Sequence, residues 1–283
     1  MKVRTVPVNK TWQRSLIIGG LVTACVTLML VDLPRQARAQ DKDSKPKLPS
    51  AEQIIKKTIE AQGGRAAFEK LHSRVSRGSV EITPPGLKGP YTRYHATPNK
   101  WYETFESNEA GKVEMGGNGS VYWSLSTALG PRLLEGSERA AAVRDSLFNA
   151  DLFWTEQFKE TECVGIEEAD GRSCYKVKRT PFEGNPEYIF FDRKTGLPVR
   201  METVMAGPMG EVPVVGTYED YREVDGVMLS FRATQVVGNL QRAVIKLDKI
   251  EHNVDIPAER FAVPPAVQEL VDKQGAAGKP KQP

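Results

Sequence analysis

Phe191-Asp192-Arg193-Lys194-Thr195-Gly196-Leu197-Pro198-Val199-Arg200 reads as a strand end, a tight turn and a new strand. Lys194-Thr195-Gly196 suits a type I turn that closes with glycine in the left-handed region. The same grammar recurs on both sides. Asp170-Gly171 and Asp225-Gly226 supply the positive φ of tight two-residue hairpins. Ala243, Ile245 and Leu247 alternate with Lys246 and Asp248, and Val227, Leu229 and Phe231 alternate in the same way. Such strands have one wet face, so the sheet is expected to be antiparallel and curved, with an apolar cover on its inner side. Strands are expected near 74–83, 91–97, 100–106, 112–117, 120–126, 160–168, 173–180, 186–192, 197–206, 212–222, 227–237 and 241–252.

The cover comes from the segments with helical spacing. Ser50 with Gln53 fits a capping box, and Ile54, Ile55, Ile59 and Ala61 repeat until Gly63-Gly64 stops them. A second short helix over 65–71 would bury Ala67, Phe68 and Leu71. A third over 137–153 carries Ala140, Ala141, Val143, Leu147 and Phe148, with Leu152, Phe153 and Trp154 at its end.

Ahead of these helices, Lys2, Arg4, Lys10 and Arg14 precede an apolar run from Leu16 to Val31, and Ala37-Arg38-Ala39 has the small-x-small spacing of a signal-peptidase site. Residues 1–39 are therefore expected to be an export signal cleaved after Ala39, which places the product in the periplasm. Two alternatives stay open: an uncleaved membrane anchor, and lipidation at Cys25 in Val22-Thr23-Ala24-Cys25. Residues 40–50 read as a flexible linker, 51–266 as one domain, and 267–283 as a polar, glycine-bearing disordered tail. The formal net charge of +3 over 283 residues owes much to the signal and to Lys42, Lys45 and Lys47. A nearly neutral folded part argues against nucleic acid as a partner.

Ala51 to Gly64 (AEQIIKKTIEAQGG), the Gly78 that follows, Phe191 to Arg200, and Tyr218 to Val227 (YEDYREVDGV) resemble phrases of the exported LolA-like lipoprotein-carrier superfamily. That superfamily also holds LppX-type lipid-binding proteins and outer-membrane lipoprotein-sorting proteins. The resemblance spans roughly residues 50–264. It implies a mainly β chain with α-helices: a curved antiparallel half-barrel wrapped around short helices, with an apolar cavity for acyl chains. It implies no individual cavity residue, because the matching phrases are strand-turn-strand grammar.

Catalytic motifs are scarce. His72, His95 and His252 stand outside HExxH, and no GxSxG is present. Gly116-Gly117-Asn118-Gly119 lacks the lysine of a phosphate loop and reads as a hairpin turn. Glu167-Glu168-Ala169-Asp170 lacks calcium-loop spacing and reads as a solvated tip. No catalytic residue, metal or cofactor is expected. Cys163 and Cys174 are an even pair in an oxidising compartment, so a disulfide is expected. A strict loop at Asp170-Gly171 would set Cys174 opposite Glu167, and a bulge would be needed to bring the thiols within bonding range.

The candidate cavity lining is aromatic and sulfur-bearing: Trp101, Phe105, Trp123, Phe148, Phe153, Trp154, Phe190, Met201, Met205 and Met228, with Tyr188 beside them. Met205 to Met209 reads as a rim loop. The expected function is a monomeric, non-enzymatic carrier of a lipid or acylated lipoprotein that passes its cargo to an outer-membrane or periplasmic receptor. The alternative is an exported scaffold or interaction module with a filled core.

Overall fold

In the computed structural model, which describes residues 47–207 and 210–277, the capping box at Ser50 forms as expected. The Ser50 hydroxyl accepts from the Gln53 N–H at 3.2 Å, and Gln53 Oε1 accepts from the Ser50 N–H at 2.9 Å. This satisfies donors that helix α1 (Ala51–Ala61) would otherwise leave open. Gly63 and Gly64, at φ 113° and 82°, end it. A Cβ on Gly63 would collide with the Gly226 carbonyl oxygen, so that glycine also lets the helix end rest against a hairpin. The expected signal with Cys25, the cleavage point after Ala39 and the lead-in as far as residue 46 lie outside the described residues, as do residues 208–209 of the expected rim loop. Among the described residues, no helix is long and apolar enough to cross a membrane.

After the four-residue α2 (Arg65–Phe68) the chain enters strands β1 (Ser73–Thr83), β2 (Leu87–Ala96), β3 (Lys100–Ser107), β4 (Gly111–Gly117), β5 (Tyr122–Ser126) and β6 (Gly130–Leu133). A helical passage follows, with α3 (Gly136–Ser146), a 3-10 turn (Ala150–Phe153) and α4 (Trp154–Gln157). The second run is β7 (Phe158–Ala169), β8 (Arg172–Pro181), β9 (Glu187–Asp192), β10 (Pro198–Gly207), β11 (Gly210–Val224), β12 (Val227–Val237) and β13 (Gln241–His252). All thirteen join one sheet in the order β6-β5-β4-β3-β2-β1-β13-β12-β11-β10-β9-β8-β7. Each half is an antiparallel meander, and β1 pairs with β13 to weld them at the centre. The edges are β6 and β7, which do not pair, so the sheet stays an open half-barrel rather than a closed barrel.

β6 is the strand that sequence pattern misses. Gly-Pro-Arg-Leu is short and carries Pro131, which an edge strand tolerates because its donor side faces no partner. The helix expected over 137–153 is broken in two, α3 and the 3-10 turn, with α4 following from Trp154. Asn149 sits in the left-handed region at φ 55°, and its Nδ2 donates to the Phe68 carbonyl at 2.9 Å. That tertiary bond turns the chain where the apolar spacing alone would continue.

Alternation gives the sheet an inner face beneath the helices and an outer face. On the inner face Ile55, Ile59, Phe68, Leu71, Phe148, Leu152 and Val227 form one core. A second joins Ala51 and Ile54 of α1 to Val177, Ile189 and Phe191. On the outer face Tyr102 and Trp123 pack under Phe261 and Val267. Those two belong to a C-terminal segment with helix α5 (Pro265–Ala277). The tail expected over 267–283 is thus helical as far as Ala277. Val267 is fully buried, and Gln274 Nε2 donates to Glu135 at 2.7 Å, so docking supplies what composition lacks.

The expected disulfide is absent, for Cys163 and Cys174 are both free. Asp170-Gly171 is a strict two-residue loop that pairs Cys174 with Glu167, and a bulge between Cys163 and Gly165 leaves Cys163 beside Val177. Cys163 packs with the inner cluster around Val177, whereas Cys174 packs outside with Ala169, Phe190 and Val199. The sheet stands between the two sulfurs.

Candidate functional site

Strand register collects charge at the centre of the inner face. Arg74 of β1 lies between His95 of β2 and His252 of β13, and Ser76 lies beside Arg93. Further along the sheet, Arg179 of β8 pairs with Glu187 of β9, and Tyr218 comes from β11. Over this row the passage from β6 to β7 brings Arg144, Asp145, Leu147, Asn149, Asp151, Leu152 and Gln157, while Gln62 and Phe68 arrive from the end of α1 and from α2. The space enclosed is a cavity of about 510 Å³. A second chamber of about 280 Å³ shares Gln62, Asp151, Arg179, Tyr218 and Leu229 with it, and adds Ile189, Phe191, Pro198 and Tyr221. The larger chamber is thus lined mainly by charged and polar groups, while the smaller one keeps Asp151 and Arg179 and adds apolar and aromatic side chains together with Ser230.

The arginines differ in how they are compensated. Arg179 Nη2 lies 2.5 Å from Glu187 and its Nη1 is 3.8 Å from Asp151, with the guanidinium stacked 4.5 Å from the centre of the Phe158 ring. Arg93 faces Glu103 at 3.7 Å, donates to the Asp145 carbonyl at 3.2 Å and lies over Trp101. Arg144 reaches outward to the Glu183 carbonyl at 2.9 Å. Arg74 has no carboxylate partner among the described residues. Its Nε donates to His252 Nε2 at 3.0 Å, and its guanidinium lies 5.5 Å over the Phe148 ring. Burial, then the nearby Arg93 charge, lowers its pKa to about 10.

Both histidines are fixed in tautomer. The Arg74 Nε–H can only donate, so His252 Nε2 accepts and its proton sits on Nδ1, which donates to Asp225 at 2.9 Å. Desolvation lowers the His252 pKa despite that carboxylate. His95 Nε2 donates to the Ser146 carbonyl at 2.8 Å, and its ring meets Phe148 edge to face. Burial, with Arg93 nearby, depresses its pKa to about 3, so it is neutral at pH 7. Asp145 is pushed the other way, its carboxyl raised by burial. Although Asp225–His252 has the carboxylate–imidazole form of a catalytic pair, the imidazole's other nitrogen meets a guanidinium rather than a hydroxyl or thiol. It therefore has no nucleophile to activate.

The ten aromatic and methionine residues singled out in the sequence are dispersed, and the lining of the central cavity includes none of them. Trp101 is buried with Tyr122, Leu134 and Ala142 of α3, and Phe105 with Val80 and Tyr91. Trp123 and Phe190 pack on the outer face, with Tyr188 beside Phe190. Phe148 is part of the core under the helices, Trp154 packs against it, and Phe153 is partly exposed. Met201 joins the cluster below α1, Met205 is exposed and Met228 is half-buried. The residues that do surround the space are largely arginine, acid and amide. A hint was available: Arg74, Arg93 and Arg179 each interrupt an alternating strand at an inward position, where an apolar residue is the rule.

No protein-family model matches the chain, and no curated protein matches it either. Solved structures do. A LolA superfamily protein from Nitrosomonas europaea is 15% identical with a TM-score of 0.55, the match covering 76% of this chain and 99% of that one. A DUF1329 family protein from Desulfovibrio piger is 15% identical with a TM-score of 0.52, covering 75% and 96%. An outer membrane lipoprotein-sorting protein domain from Vibrio parahaemolyticus is 11% identical with a TM-score of 0.53, covering 74% and 96%. At such identities the likeness is one of architecture: this chain has the fold of the LolA superfamily.

Proposed function

We propose that the protein is an exported, non-enzymatic carrier that holds a lipid, or the acyl end of a lipoprotein, between its sheet and its helical cover. The observation that carries this reading is the joined pair of chambers of about 510 and 280 Å³ inside an unclosed sheet. The smaller one, with Ile189, Phe191, Pro198 and Leu229, is the place for hydrocarbon. Each buried methylene contributes about 0.8 kcal/mol, so a chain of modest length can be held without nucleotide. The helical passage that connects the unpaired edges β6 and β7 lies over the larger chamber through Arg144, Asp145, Leu147, Asn149 and Asp151, and is the natural gate.

A second reading, an interaction module with a filled core, is favoured by the β1–β3 part of the inner face, which Val80, Tyr91 and Phe105 fill. Isolation of the exported protein without detergent, followed by solvent extraction and lipid mass spectrometry, separates the two. Carriage predicts a stoichiometric lipid in the extract. A consistently empty protein that co-purifies with a second polypeptide overturns it.

A further inference from the structure

We infer that the central cavity is an oxyanion site in which Arg74 takes the phosphate of an amphiphilic ligand. The inference rests on the carrier reading and names the chemistry of its cargo. Three observations support it. Arg179 is balanced by Glu187 and Asp151, and Arg93 by Glu103, but the cation at Arg74 faces the cavity without an acid. A guanidinium presents paired N–H groups that suit two oxygens of one phosphate, and such charge-assisted pairs are the strong ones.

Arg74 is also aimed. The exposed Asp225 holds His252 by Nδ1, and His252 holds the Arg74 Nε, which leaves both terminal nitrogens for a ligand. This carboxylate–imidazole relay spends only the Nε–H donor and fixes the direction of the rest. The neighbouring His95 is neutral and its Nε2–H is committed to Ser146, so it neither repels nor competes.

The third observation is Gln62, which is 8% exposed, borders both chambers and has an Oε1 with no hydrogen-bond partner. An unpaired buried carbonyl oxygen calls for a donor. A phosphate ester that carries a hydroxyl, with its acyl chain passing Gln62 into the smaller chamber, would meet both demands. Asp145, Asp151 and Glu187 also face the cavity, which disfavours ligands with more than one phosphate.

The test is titration calorimetry of the mature chain with lysophosphatidylglycerol, with a monoacylglycerol of the same chain length, and with inorganic phosphate. Lysophosphatidylglycerol should bind at least about tenfold more tightly than monoacylglycerol, and inorganic phosphate weakly. Arg74→Gln should remove that preference. Asp225→Asn, a surface change that leaves the cavity intact, should reduce it by a smaller factor, and Arg65→Gln should leave it unchanged. If both amphiphiles bind equally and Asp225→Asn alters neither, the oxyanion site is overturned while carriage stands. If neither amphiphile binds, the carrier reading itself fails. Tight binding of inorganic phosphate alone would mark the site as one for a free anion and overturn the lipid headgroup. Should Arg74→Gln fail to fold, Arg74→Lys replaces it, with a weakened but measurable preference expected.

Discussion

The two faces of the sheet use aromatic side chains and arginines in opposite ways. On the outer face Trp123, Tyr102 and Phe190 are buried, the first two under Phe261 and Val267 beside a cleft of about 370 Å³, the third against Val199 and Cys174. The centre of the inner face instead turns Arg74, Arg93 and Arg179 inward, around an open chamber. A large aromatic contributes most when close neighbours surround it, whereas an arginine stem can line a void and keep its charged end available. In this protein the outer aromatics mainly fill and the inward arginines line, while Phe68, Leu152, Ile189 and Phe191 do both, packing in a core on one side and bordering a chamber on the other.

The sharpest way to break that contrast is at Trp123, which is 1% exposed. Trp123→Ala should cost about 3–5 kcal/mol by denaturant unfolding, since it empties a packed site. A loss below about 1 kcal/mol would show that the outer face is loose and that the contrast is wrong.

The inner face can be tested by pH. The His95 pKa falls from an ordinary 6.5 to about 3 on folding, so between those values the unfolded chain binds a proton that the folded chain does not. Stability contributed by His95 is then complete above pH 6.5 and is lost as pH falls towards 3. Between pH 7 and pH 5 this loss is about 2 kcal/mol. Asp145, whose carboxyl is raised, offsets part of it. Thermal unfolding at the two pH values, compared with His95→Gln, isolates the contribution. An unchanged pH dependence in the variant would mean that His95 is solvated and the cavity wall open.

Smaller effects refine the picture. Ser50→Ala removes the cap of α1, the helix whose Ala51 and Ile54 pack against Ile189 and Phe191 of the smaller chamber's wall, and should cost about 1 kcal/mol with little effect on the outer face. A reductant should leave the melting temperature of the mature protein unchanged, because Cys163 and Cys174 lie on opposite faces. Titration of two thiols after denaturation would agree with this, and titration of none would contradict the register of β7 and β8.

Much of the fold was legible in the sequence because it is written locally. Asp170-Gly171, Asp225-Gly226 and Gly196 have the positive φ that their turns require. Alternation around them placed twelve of the thirteen strands. What escaped depended on contacts distant in sequence: the edge strand with Pro131, the break at Asn149 bonded to Phe68, and α5 docked through Val267. The cavity was less legible. Bulk and flexibility pointed to Trp101, Phe190 and Met201, but Trp101 fills a core under α3, Phe190 faces outward and Met201 packs below α1. The inward arginines belong to no motif of their own, and register is what sets Arg74 beside His95 and His252. Glycines 116 and 117, expected both at the end of the strand over 112–117 and in the hairpin turn, belong to β4, where a Cβ would crowd the rings of Trp123, Tyr122 and Trp101.

The most direct test of the account is a crystal structure of the exported protein purified without detergent and grown in the presence of lysophosphatidylglycerol. The account predicts continuous ligand density from the Arg74 guanidinium, past Gln62, to Ile189 and Phe191. Water alone in both chambers, with the lipid absent or lying on the outer face, would contradict it.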